Sequence, residues 1–120
     1  MTTQFSFTKY ENRVLPVFRE RISKAESTED VKKFFVYTTK ELLEDIFEGK
    51  MEFEYEDFEL VQGRAPYYKL SGRVRSSKAF RAVWNDSDLS RVIYRLAESA
   101  MRRCVRLEKH QEKTESKIRM

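Results

Sequence analysis

The sequence predicts an α+β fold: two N-terminal helices, a three-stranded antiparallel meander and a long C-terminal helix packed on the sheet. Three observations carry this. Apolar residues recur with helical spacing from Val14 to Ile46. From Met51 the period drops to two, and after Asp86 helical spacing returns and holds to Leu107. Helices layered on an antiparallel sheet are the natural packing for such an order.

The segment Met1–Thr8 carries Phe5 and Phe7, as a short edge strand or an arm that docks two rings. Thr8 and Glu11 fit a capping box that opens the first helix. Val14, Leu15, Phe18 and Ile22 form its apolar stripe. Pro16 within it demands a kink, or a regular helix that starts near Leu15. Ser27 with Asp30, or Thr28 alone, caps the second helix. There Val31, Phe34, Phe35, Thr38, Leu42 and Ile46 share one face, and Gly49 is a natural stop.

Beyond Gly49, Met51, Phe53 and Tyr55 alternate with Glu52, Glu54 and Glu56, the signature of a half-buried strand. Phe58 and Leu60 continue in the other phase, so a bulge or bend is expected at Glu56–Asp57. Gln62 to Pro66 reads as a turn. Tyr68, Leu70, Gly72 and Val74 then alternate with Lys69, Ser71, Arg73 and Arg75 as a second strand. Ser76-Ser77-Lys78 is a second turn, and Phe80, Ala82 and Trp84 make a third strand with Arg81 on its far face. Asp86-Ser87-Asp88 starts the last helix, with acids at the positive end of its dipole. Leu89, Ile93, Leu96, Ala100, Cys104 and Leu107 form its buried stripe. Residues 1–110 are thus expected to form a single α+β domain and 111–120 a frayed tail.

Catalytic material is scarce. The chain has one histidine, His110, in the tail, and one cysteine, Cys104, on the apolar stripe. A lone cysteine allows no internal disulfide and fits a reducing, cytoplasmic compartment. No apolar run is long enough to span a membrane, and Met1–Thr8 does not read as a secretory signal. Residues 41–59 hold nine acids with Lys50 as the only base. On a strand Glu52, Glu54 and Glu56 would spread over about 13 Å, too far apart for one ion. With three glycines in the chain, phosphate-cradling loops are absent. The expectation is a non-catalytic binding domain with no cofactor and no metal.

What it binds is suggested by its charge. Residues 1–62 hold nine Lys and Arg against fourteen Asp and Glu, a net −5. Residues 63–120 hold fifteen against six, a net +9, and ten of those bases are Arg. Arg forks onto phosphate, so the basic half points to RNA or DNA, met through the backbone rather than the bases. The candidate residues are Arg73, Arg75 and Arg81 on the sheet and Arg91, Arg95, Arg102 and Arg106 along the last helix, flanked by Lys69, Lys109 and Lys113. Tyr67 and Tyr94 are candidate stacking rings. Against this, Glu52, Glu54, Glu56 and Glu59 could pair across the sheet with Lys69, Arg73 or Arg81, and Glu98 with Arg102. An acidic and a basic half also suit a homodimer or an acidic protein partner.

The order helix–strand–strand–strand–helix over residues 28–110 resembles that of double-stranded-RNA-binding domains. The likeness is one of element order alone. That family carries lysines at the start of its last helix, where this chain has Asp86-Ser87-Asp88.

Overall fold

The computed structural model describes residues 6–118, and side chains through Lys109. Five helices and one hairpin make up the described chain: α1 (Thr8–Ser23), α2 (Thr28–Phe47), β1 (Phe58–Leu60), β2 (Tyr68–Leu70), α3 (Gly72–Ser76), α4 (Lys78–Asn85) and α5 (Leu89–Ile118). The helices α1, α2 and α5 pack pairwise as a bundle, and β1 lies against α2.

The bundle follows the helical stripes. Phe18 and Ile22 from α1, Val31, Phe35 and Leu42 from α2, and the whole Leu89–Leu107 stripe of α5 are buried together. Thr8 does not cap α1. That position belongs to Phe7, which has no side-chain cap bond. Glu11 points into the structure instead and is 7% exposed. Pro16 lies inside α1. Phe7 packs edge-on against Tyr10, with ring centroids 5.8 Å apart; Phe5 lies outside the described residues. Ser27 Oγ accepts from the Asp30 N–H at 3.2 Å and opens α2 as its sequence requires. The helix ends on left-handed Glu48 (φ 51°), followed by Gly49 (φ 79°).

The three-stranded meander is not formed. Among the described residues the sheet has two strands, antiparallel, with Phe58 opposite Leu70, Glu59 opposite Lys69 and Leu60 opposite Tyr68. The expected first strand is a short extended run into a 3-10 turn at Tyr55–Asp57. Its alternation has a different cause. Phe53 is drawn into the core, where its ring lies 5.6 Å from Phe47 and 5.9 Å from Phe58. The expected second strand stops at Leu70, because Ser71 Oγ accepts from the Val74 N–H and starts α3. The expected third strand is helix α4, which Ser77 caps by accepting from the Phe80 N–H. Phe80, Val83 and Trp84 fall at i, i+3 and i+4, a helical face that period-two reading breaks up. The helix–strand–strand–strand–helix order is therefore absent.

At the entry to α5, Ser87 Oγ accepts from the Leu89 N–H. Asp88 accepts from the Phe7 N–H at 2.8 Å and from Ser6 Oγ at 3.1 Å, which ties the segment before α1 to the last helix. Helical backbone continues past Gln111 to Ile118. The side chains of His110, Lys113 and the rest of the expected tail lie outside the described residues.

Candidate functional site

Two of the seven candidate arginines are held by buried carboxylates. Asp57, 4% exposed, closes the 3-10 turn. Its carboxylate accepts from the Glu54 N–H at 2.7 Å, from Ser71 Oγ at 2.6 Å and from Arg73. Arg73 also donates to the Glu52 carbonyl at 3.0 Å. Burial by itself would raise the Asp57 carboxyl, but the bonds from Ser71, Glu54 and Arg73 outweigh it and hold it below its ordinary value. The carboxylate that meets Arg73 is thus Asp57, not Glu52, Glu54, Glu56 or Glu59. In the bundle, Arg95 reaches across from α5 to Glu11 on α1 at 2.5 Å.

A third arginine is fixed by backbone. Arg103 donates to the carbonyls of Ile22 (2.8 Å), Ser23 (3.0 Å) and Ala25 (3.1 Å). It caps the C-terminus of α1, where the helix dipole favours a cation. Its position in the sequence carries the signal: seven residues after Leu96, three after Ala100 and four before Leu107, Arg103 sits on the buried stripe.

Around Arg103 the structure gathers a basic cleft. Arg19, Ile22 and Ser23 of α1 and Ser99, Arg102, Arg103 and Arg106 of α5 line an open depression of about 290 Å³. Four guanidinium groups thus border one cleft. Among the described residues, the ion pair made there is Arg102 to Glu98 at 3.4 Å, with Arg102 69% exposed. Such a pair is weak and easily exchanged. Arg19, from the acidic half of the chain, completes the set; helix packing brings it there, so no local pattern could show it. Arg91 is exposed on α5, and no salt bridge engages it or Arg106 among the described residues.

A second basic region lies at the hairpin. Since Arg75 lies on α3 and Arg81 on α4, they do not project away from Leu70 and Phe80. They line two clefts with them. One, of about 290 Å³, is bounded by Leu70, Arg75, Phe80, Arg81, Trp84 and Asn85. The other, of about 410 Å³, is bounded by Tyr68, Lys69, Leu70, Arg75 and Trp84. Lys69, Arg75 and Arg81 are exposed and make no salt bridge among the described residues. Glu59, the register partner of Lys69, stays beyond ion-pair distance.

The tyrosines expected to stack on bases stack on each other. Tyr67 and Tyr94 are half-buried with centroids 6.0 Å apart, and Tyr94 donates to Glu98 at 3.2 Å. Cys104 is buried, and burial pushes its thiol up to about 11, which suppresses the reactive thiolate. Among the described residues no three His, Cys, Asp or Glu gather where they could hold a metal ion. None of the described helices is long and apolar enough to cross a membrane.

The chain matches no family model, no curated protein and no solved structure.

Proposed function

We propose that this protein is a non-catalytic binder of nucleic acid, engaging the phosphate backbone through the α1–α5 cleft. The convergence of Arg19, Arg102, Arg103 and Arg106 on one depression is the observation that carries the reading. Arg103 is anchored to three carbonyls and is the rigid member. Arg102 and Arg106 are exposed and adjustable, and Arg91 extends the same helix toward its start. Guanidinium groups neutralise phosphates and release counterions, with little reading of base sequence. Arg73 and Arg95 do not line this cleft; Asp57 and Glu11 hold them.

The test is fluorescence polarisation with labelled single- and double-stranded RNA and DNA at low and near-physiological salt. Four phosphate contacts, one for each cleft arginine, predict a log–log salt slope of about −3 to −4. Arg102→Glu with Arg106→Glu should abolish duplex binding while the fold is retained, since both side chains are exposed. Salt-independent affinity, or duplex affinity that survives the double reversal, would refute the cleft as the interface.

One observation favours a second reading, a homo-oligomerisation module. Glu44, Asp45, Glu52 and Glu54, with Lys40, Met51 and Phe53, line an acidic depression of about 690 Å³ beside the C-terminus of α2. An acidic and a basic cleft on one molecule are complementary between copies. Sedimentation at two salt concentrations separates the readings: a monomer at high concentration and low salt removes the second.

A further inference from the structure

The hairpin clefts differ in kind from the α1–α5 cleft, because they combine cations with aromatic surface. Trp84 is the centre. Phe80 stacks on its indole at 5.3 Å and 26°, and Tyr68 meets it edge-on at 6.5 Å and 69°. Half-buried, the indole lines both clefts, as do Leu70 and Arg75. Lys69 and Arg81 add positive charge, and neither cleft is lined by a carboxylate. Apolar floor and cationic rim thus share one small concavity, near the lower end of the usual ligand-cleft range of about 300–1,000 Å³.

We infer that the Trp84 clefts receive an unstacked base of single-stranded nucleic acid, with its flanking phosphates held by Lys69, Arg75 and Arg81. This rests on the reading that the chain binds nucleic acid, and it goes further by naming the strand state. A duplex keeps its bases stacked inside and offers these clefts only phosphate. A single strand can turn a base outward onto an aromatic side chain. Charge selects the partner: three cations without an ion pair among the described residues suit an anionic chain, and the apolar floor suits a flat ring. Tyr68, which lines the larger cleft, adds a phenol hydroxyl as a donor.

Trp84 is the only tryptophan, so its fluorescence reports this site and no other. The experiment titrates the whole protein with short oligo(dT), and separately with a DNA hairpin duplex, while polarisation records total binding. Oligo(dT) should quench Trp84 and the duplex should not. Arg75→Ala with Arg81→Ala, which leaves the indole in place, should weaken the quenching titration about tenfold or more. Trp84→Leu should weaken oligo(dT) binding about tenfold, the scale of one lost base stack, and leave the duplex unaffected. Should oligo(dT) bind by polarisation with Trp84 unchanged and the arginine pair neutral, this inference falls and the α1–α5 reading stands. No binding of either probe would overturn both.

Discussion

The bundle of α1, α2 and α5 and the segment 48–88 that interrupts it keep their shape by different means. In the bundle Phe18, Phe35, Leu42, Ile93 and Leu96 are 1% exposed or less, and each of the three helices packs on the other two. The intervening segment has two three-residue strands and a five-residue helix. Its apolar anchors, Phe53, Phe58, Leu60, Val74 and Phe80, are few and come from separate short elements. Asp57 joins those elements. It receives the Glu54 N–H of the 3-10 turn, the hydroxyl of Ser71 that caps α3, and Arg73 within α3. Where apolar area is thin, one charged acceptor joins the elements; where it is thick, polar contacts such as Arg103 on the end of α1 and Arg95 on Glu11 add to packing that already holds the helices together.

The sharpest way to break this contrast is to remove Asp57. Asp57→Ala leaves the Glu54 N–H and the Ser71 hydroxyl without their acceptor. A loss of about 3 kcal/mol in urea unfolding is expected, from bonds to a charged group at about 1.5–3 kcal/mol each with partial recovery by water. The carboxyl is held below its ordinary value of 3.8 in the folded protein, so its contribution is complete at neutral pH. It fades as pH falls through the folded value. The stability difference between the parent and Asp57→Asn should therefore be constant near neutrality and narrow below about pH 4. A difference that stays constant down to pH 2 would assign Asp57 a role in shape rather than charge.

The bundle's own ion pair should matter less. Arg95→Ala leaves Glu11, 7% exposed, without its cation, but the surrounding helices stay packed and Arg95 itself is half in solvent. About 1–2 kcal/mol is expected, below the usual range for a fully buried pair. Arg102→Ala, four residues from Glu98 on the surface, should change stability no more than experimental error. In binding the order should reverse, with Arg102 decisive and Arg95 secondary. Equal unfolding losses for the two variants would undo the division between held and available arginines.

That division was only partly legible in the sequence. The bundle could be read because α1, α2 and α5 each span several turns, so the 3.6-residue period repeats often enough to stand out. The segment 48–88 could not, since a helix of five or eight residues shows barely two turns of pattern. There Phe80, Ala82 and Trp84 satisfy period two as well as Phe80, Val83 and Trp84 satisfy a helix. The deciding signals were the caps, Ser71 before Val74 and Ser77 before Phe80. Arg75, Arg81, Arg91, Arg102 and Arg106 were found by charge, and the structure leaves them exposed. Arg19 could not be found, because its neighbours in the cleft lie some eighty residues away in the chain. Glu11 and Arg103 were visible in principle: each lies on an apolar stripe, where a charged residue requires a partner.

The same contrast predicts a change of opposite sign. Thr38 and Thr39 on α2 bury their hydroxyls against the bundle core, and neither oxygen has a hydrogen-bond partner among the described residues. Thr39 is 0% exposed. A buried hydroxyl without a partner gives up its bonds to water and gains nothing in return. Valine matches threonine in shape and branching, so Thr39→Val changes neither packing volume nor helix propensity appreciably. Stability should rise by about 1 kcal/mol, which for a chain of this size raises Tm by about 3–6 °C. Deleting a buried polar group would then stabilise the bundle and, at Asp57, destabilise the segment beside it. A fall in Tm for Thr39→Val would mean that the hydroxyl bonds to water or to the preceding turn of α2, and that the bundle too depends on polar contacts.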